Sequence, residues 1–374
     1  MLSFALKTLF SDRSKLLTGL LGVIFSLVLV NVQGGLYFGL MRKASLLVDH
    51  CDADLWVTHK QVENVDLARE IPDIWRQRLK GTPGIRDVQP YLVGKGTASL
   101  SNGHMEDVWI IGSDPDTMLG SAWGFTEGSR AALKRPNGVS FDEVDATKLG
   151  NPRVGDWMEV NGQRTRIVAR TRGITGFITM PYLFTTYETA RKLSRNTVGT
   201  SSFFLVRVKP GVDVERLRKI VKSKVPDAAV YTPAEFAGIS QDYWMKRTGI
   251  GVSFGAATLL GLLVGLAVVG QSLYAMALNH LEDYATLKAL GAEDRDVCRV
   301  IVGQALCIGI IGSLSGLGIV AAIRGTWDNP LAPVEIPLFL MGGSVLLMLL
   351  ICLAAAGIPY FRIRKVDPAM VLMG

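Results

Sequence analysis

This sequence is short of the residues that carry out chemistry. Its 374 residues include four cysteines and four histidines, and the histidines are scattered at positions 50, 59, 104 and 280. No C-x-x-C, H-E-x-x-H or G-x-x-x-x-G-K-[ST] string occurs. That excludes a vicinal dithiol site, a zincin-type zinc helix and a phosphate-cradling P-loop within this chain. Cys298, Cys307 and Cys352 fall in or beside long apolar runs, so only Cys51 belongs to the polar part of the chain. No intramolecular disulfide framework is available there. Charge is also missing, but only locally. Charged residues make up 20% of the chain, yet none lies within 16–41, 248–279, 300–323 or 336–361.

Each charge-free run exceeds the roughly 20 apolar residues that cross a ~30 Å hydrocarbon core as a helix. None alternates as a barrel strand would, which leaves helices as the structure that satisfies the backbone. Four transmembrane helices are predicted. The first run is longer than the ~7–15 residues of a signal-peptide core and shows no cleavage site with the usual flanks, so it reads as a retained anchor. The absence of Asp, Glu, Lys and Arg inside the spans argues against a proton-coupled carrier or an ion channel, which place ionisable groups there.

Lys and Arg near the spans set the orientation. Lys7, Arg13 and Lys15 precede the first span, Lys288, Arg295 and Arg299 lie between the second and third, and Arg362, Arg364 and Lys365 follow the fourth. The loop before the fourth span has only Arg324. Both termini are therefore expected in the cytoplasm. The division is 1–15 cytoplasmic, 16–41 first span, 42–247 an extracytoplasmic domain, 248–279 second span, 280–299 a cytoplasmic segment, 300–323 third span, 324–335 a short outer loop, 336–361 fourth span and 362–374 a cytoplasmic tail. The net charge of +7 gives no nucleic-acid signal. On a membrane-proximal domain it reads as an ordinary solvated surface or as an affinity for anionic head groups.

The N-terminal segment mixes Phe4, Leu6, Leu9 and Phe10 with Lys7, Asp12, Arg13 and Lys15. This suits either an amphipathic helix on the inner leaflet or the frayed start of the first span. The outer domain opens with a strand at Leu55-Trp56-Val57. A helix follows with Ile71, Ile74, Trp75 and Leu79 on its apolar side, ended by Gly81 and Pro83. Two hairpins centre on Asn102-Gly103 and Asn161-Gly162. Residues 203–208 read as a strand, 213–225 as a helix with Leu217, Ile220, Val221 and Val225 on one face, and 228–232 as a strand. The expected fold is an α-helical membrane protein with four spans plus an α+β extracytoplasmic domain. In that domain two α/β pieces flank a β-rich insert and share one mixed sheet.

Small residues recur four apart at Gly251 and Gly255, Gly261 and Gly265, and Gly312 and Gly316. The spacing allows close helix packing, within one subunit or between two. Asp49, His50, Cys51, Asp52, Asp54 and His59 are of the kind that hold zinc or copper. Neighbours on a short extended segment point to opposite faces, which favours a surface turn over a metal site. Arg164, Arg166, Arg170 and Arg172 alternate with apolar residues, as on a wet sheet face or a surface that meets lipid or protein.

The segment between the second and third spans is patterned. Leu281, Tyr284, Ala285, Leu287 and Leu290 recur at helical spacing. Gly291 is placed for a left-handed C-cap, and Glu293 and Asp294 for the start of the next helix. Leu287, Lys288, Ala289, Leu290, Gly291 and Ala292 resemble the (I/L)-x-x-x-(R/K)-A-x-G-A hallmark of the MacB/FtsX/LolCE class of ABC transporter permeases. The four-span layout and the ending around Asp367-Pro368 are similar too, and Asp52 to Val57 looks most like the DevC branch. The resemblance implies a MacB-like periplasmic domain and a multi-pass permease of the bacterial inner membrane with no catalytic, metal or cofactor site. It implies a separate ATPase subunit that engages Tyr284 and 287–292, and a second copy of the chain. It also implies mechanotransmission to the periplasmic domain, with an adaptor protein, an outer-membrane channel, and a lipid or glycolipid cargo. The same resemblance allows an FtsX-like regulator of a cell-wall hydrolase; a ligand sensor is a third reading.

Overall fold

The structure is a computed structural model and describes residues 2–100, 103–194, 196–327 and 329–363. Asn102 of the first hairpin and Asp367-Pro368 of the tail lie outside the described residues. The elements begin with α1 (Leu2–Ser11), α2 (Arg13–Ala44), α3 (Leu46–Asp49), β1 (Leu55–His59), β2 (Ile71–Pro72), α4 (Ile74–Leu79), β3 (Ile85–Ser99) and β4 (Met105–Ser113). Next come β5 (Phe125–Glu127), β6 (Gly138–Asp142), β7 (Trp157–Val160), β8 (Gln163–Thr171), β9 (Tyr182–Thr186), α5 (Tyr187–Ser194), β10 (Thr200–Ser201), β11 (Phe203–Val208), α6 (Val214–Lys224) and β12 (Ala228–Tyr231). The chain continues with α7 (Pro233–Thr248), α8 (Ile250–Asn279), α9 (Leu281–Ala289), α10 (Asp294–Thr326) and α11 (Leu338–Ile363). Two compact units result, Leu40–Gly249 and the remainder.

Unit Leu40–Gly249 is built on one mixed sheet in the order β12-β1-β11-β3-β4-β9-β6-β8-β5, with β7 against β3 and β8. The β-rich insert is therefore not a separate layer; its strands extend the sheet of the α/β pieces. Strand β3 joins the two parts, pairing with β11 through Val88↔Val206 and with β7 through Ala98↔Val160. The parallel pairings are β4 with β9 and β6 with β8; the other long-range partners, β1 with β11 and β12 and β3 with β11, run antiparallel. Asn161 and Gly162 both have positive φ (51° and 79°) between β7 and β8, the backbone a two-residue hairpin turn needs.

The central strands are buried on both faces, which explains their unbroken apolar sequence. Trp56, Trp109, Phe184, Phe203 and Leu205 project into one cluster that Leu47, Val48 and Phe236 complete. Their neighbours point the other way. Leu55, Val57, Phe204 and Val206 meet Leu217 and Val221 of α6; Val108, Ile110 and Leu183 meet Ala190 and Leu193 of α5. Two expected core residues differ. Ile220 is 39% exposed, at the edge of the α6 stripe, and Ile74 is 48% exposed, at the first position of α4. Ile71 is buried in β2, which pairs with β10 rather than beginning the helix.

The other unit contains α1 and most of four helices long and apolar enough to cross a membrane, within Arg13–Ala44, Ile250–Asn279, Asp294–Thr326 and Leu338–Phe361. Helix α2 lies between two glycine stripes. A Cβ at Gly261 or Gly265 of α8 would run into Leu29 or Ser26, and one at Gly312 or Gly316 of α10 into Val23 or Leu27. Buried polar bonds fix the register. The Ser26 hydroxyl donates to the Gly261 carbonyl (2.9 Å) and the Asn31 amide to Ser344 Oγ (2.8 Å). Such bonds hold helices together where lipid provides no hydrophobic drive.

Candidate functional site

The corner between α8 and α10 is built for stiffness. Helix α9 ends in a six-residue capping motif, with the Ala292 N–H donating to the Leu287 carbonyl and the Gly291 N–H to the Lys288 carbonyl, both at 3.0 Å. Gly291 has φ +97°, a conformation that costs an L-residue about 1–2 kcal/mol and glycine almost nothing. Lys288 Nζ then bridges the turn to Asp294 Oδ1 (3.1 Å). Glu293 and Asp296 close a reciprocal cap on α10, with acids at its positive end.

The sequence-chosen residues divide by exposure. Tyr284 is 1% exposed and packs with Val297, Val300 and Ile301. Burial pushes its hydroxyl up to about 12, so it remains a proton donor at any ordinary pH. Leu287 and Lys288 are half-buried, whereas Leu290 is 81% exposed and Gly291 is also open. The side chain of Ala289 lies outside the described residues. One face of α9 is thus embedded in its own unit, and a leucine at its tip is presented outward.

The small-residue stripes also divide. Gly261, Gly265, Gly312 and Gly316 pack within this chain, whereas a Cβ at Gly255 would meet nothing within 4 Å among the described residues. Gly251 and Gly255 line a groove of about 340 Å³ with Tyr37, Phe254, Thr258 and Leu340. Residues 251–255, Gly-Val-Ser-Phe-Gly, have the G-x-S-x-G form of a nucleophile elbow, a match that goes with a strand–turn–helix corner. Here the five residues lie inside α8, a continuous helix that forms no such corner.

The metal-like cluster of the outer unit is occupied structurally. Asp49 accepts from Ser45 Oγ (2.6 Å), the His50 ring stacks on Trp123 at 4.0 Å, and Asp54 accepts from the Val208 N–H (2.6 Å). Burial pushes the Cys51 thiol up to about 12, far from reactive thiolate. Arg164 and Arg166 lie over the Trp157 ring at 4.8 and 5.8 Å, and Arg170 and Arg172 pair with Glu143.

A group the sequence did not flag is Asp66, fully enclosed and accepting from the Tyr182 hydroxyl at 2.6 Å. Burial raises its carboxyl from 3.8 to about 6. The unfolded chain releases this proton near 3.8 and the folded chain near 6, so between those values the folded state holds more protons. Its stability contribution is therefore complete below 3.8 and is lost as pH rises through about 6. The shift corresponds to a loss of up to about 3 kcal/mol. Asp66→Asn should remove that slope. Unfolding of the detergent-solubilised chain between pH 4 and 8 checks it; parallel profiles for both proteins would refute the assignment.

Two family models match the chain, "MacB-like periplasmic core domain" over residues 17–224 and "FtsX-like permease C-terminal" over residues 255–368. An uncharacterized ABC transporter permease of Mycobacterium tuberculosis is 24% identical over 354 residues, covering 94% of this chain and 93% of that one. Another, from Mycobacterium bovis, is 26% identical over 238 residues, 62% of each chain. Among solved structures, the periplasmic region of MacB from Actinobacillus actinomycetemcomitans aligns over 50% of this chain and 92% of that one, at 11% identity and a TM-score of 0.39. The extracellular domain of the transporter YknZ from Gram-positive bacteria aligns over 48% of this chain and 99% of that one, at 13% identity and a TM-score of 0.35.

Proposed function

The chain belongs to the MacB-like periplasmic core domain family of ABC transporter permeases, with an FtsX-like C-terminal region, and on that premise we propose that it is the membrane subunit of an exporter driven by a separate ATPase. The observation that carries this reading is the α9 knob. It is clamped at Gly291 and by Lys288–Asp294, embedded through Tyr284, and bears a leucine that is 81% exposed. A rigid body of this kind transmits displacement, where a polar linker would absorb it.

In this scheme two copies of the chain pair with two ATPase subunits. ATP-driven closure of the ATPases displaces α9, the displacement shifts the membrane helices, and the domain on the far side of the inner membrane changes conformation. The termini are cytoplasmic and the outer domain periplasmic. Val252, Leu259, Leu260 and Leu263 leave one side of α8 uncovered next to Gly255, which suits contact with the second copy. An adaptor protein meets the outer domain, and the cargo is a lipid or glycolipid.

The test is co-purification of the tagged full chain from its own membranes, combined with accessibility mapping. An ATPase subunit should accompany the chain in equal amount, and tags in 1–15 and 280–299 should be reachable from one side while tags in 42–247 are reachable from the other. Tags in 280–299 and 42–247 on the same side would overturn the proposal.

A further inference from the structure

The N-terminal helix is tied to this corner by more than apolar contact. Ala5 and Leu9 are 1% and 0% exposed and share a cluster with Tyr284, Val297, Val300 and Ile301. Inside that cluster runs a polar chain. The Gln304 side chain is hydrogen-bonded to the Tyr284 hydroxyl, its amide donates to Thr8 Oγ1 at 2.8 Å, and the Thr8 hydroxyl donates to the Ala5 carbonyl at 3.1 Å. Gln304 and Thr8 are 2% and 6% exposed. Leaving either without its partner exacts the full desolvation cost. Buried bonds of this kind admit one register, whereas apolar surfaces alone slide.

A second set lies nearer the surface. Asn279 donates to Asp12 Oδ2 (2.8 Å), Lys15 pairs with Asp12 (3.0 Å) and donates to the Ala275 carbonyl (3.2 Å), and His280 lies 3.3 Å from Ser11 Oγ. The α1–α2 bend is thereby fastened to the α8–α9 bend.

We infer that α1 is a second arm of the transmission element: displacement of α9 passes from Tyr284 through Gln304 to Thr8 and enters the first span through α1. Gln304 and Thr8 are positioning residues, acting through neighbours and touching neither nucleotide nor cargo. The inference rests on the proposed role of α9, and it adds a route to the helix that leads into the outer domain. Without it, α9 would reach the first span only indirectly, through the seams that α2 makes with α8 and α10.

Hydrogen exchange of the full complex in nanodiscs, with and without a trapped ATP state, reads each element separately. In the wild type, ATP changes exchange in α9, in α1 and in the start of α2. In Thr8→Val and Gln304→Leu the response of α9 remains, while that of α1 and α2 falls by about tenfold. Thr8→Ser, which keeps the hydroxyl, restores it, a rescue that loss of packing alone would not give. If α9 itself fails to respond in the wild type, the proposed function falls. If α9 responds but α1 does not, or if α1 in Thr8→Val responds as in the wild type, the relay falls and the proposed function stands.

Discussion

With α9 engaging an ATPase subunit as proposed, Leu290→Asp is expected to disconnect the two without unfolding the chain. The side chain is 81% exposed and follows the last helical residue of α9, so its replacement disturbs no packing and changes stability by no more than about 0.5 kcal/mol. Seated in an ATPase groove, the same leucine contributes about 2–3 kcal/mol of apolar burial, and an aspartate there adds the cost of an unpaired buried charge. The combined effect is a complex weakened about 100-fold or more. Titrating the ATPase subunit against reconstituted chain and following hydrolysis measures the shift directly. A wild-type titration curve for Leu290→Asp would remove Leu290 from the contact and, with it, the coupling role of α9. Leu287 is a poorer place to test, because it packs against the unit's own core and a charge there mixes misfolding with lost contact.

The spans were readable because membrane burial is written as missing charge, and the Asn161-Gly162 hairpin because its turn needs two left-handed residues. The joining of insert and α/β pieces into one sheet was less accessible. It depends on Trp109↔Tyr182 and Ala98↔Val160, pairings between distant parts of the chain that leave no local mark. Helix α7 is not among the expected elements although its start is marked: Thr232 and Glu235 form a capping box with Pro233 in the first turn, a signal carried by T-P-A-E. At the candidate site, the helix, its cap and the turn followed from Leu281, Tyr284, Gly291 and Glu293. Spacing alone did not say which members of the stripe face inward. Tyr284 turned out to be an internal strut and Leu290 the exposed tip. The glycine pairs teach the same lesson: Gly255 and Gly265 stand in identical patterns, and only the position of α2 makes one a contact and the other a vacancy.

Gly312→Leu should break the seam between α2 and α10. A Cβ at Gly312 would lie 2.8 Å from both Val23 Cβ and Val23 Cγ1 and 3.5 Å from the Leu20 carbonyl. Neither the branched Cβ nor the backbone oxygen can swing aside as a flexible side-chain tip would. The helices must separate, and separation forfeits the van der Waals contact that association in a bilayer relies on. Overpacking alone costs about 1–3 kcal/mol, and losing the seam brings the expected loss to about 3 kcal/mol or more. Gly318→Leu is the internal control. It lies on the same helix and gains the same helix propensity, but its Cβ would meet nothing within 4 Å among the described residues. Unfolding both variants in bicelles isolates packing from propensity, and equal stability would mean that α2 and α10 do not approach as described. Because Gly261 and Gly265 press on the opposite flank of α2, the helix has nowhere to retreat. Widening that side as well, by shortening Leu29 to Ala, should recover part of the loss in Gly312→Leu and none in Gly318→Leu, a non-additivity expected only of sites that share a neighbour.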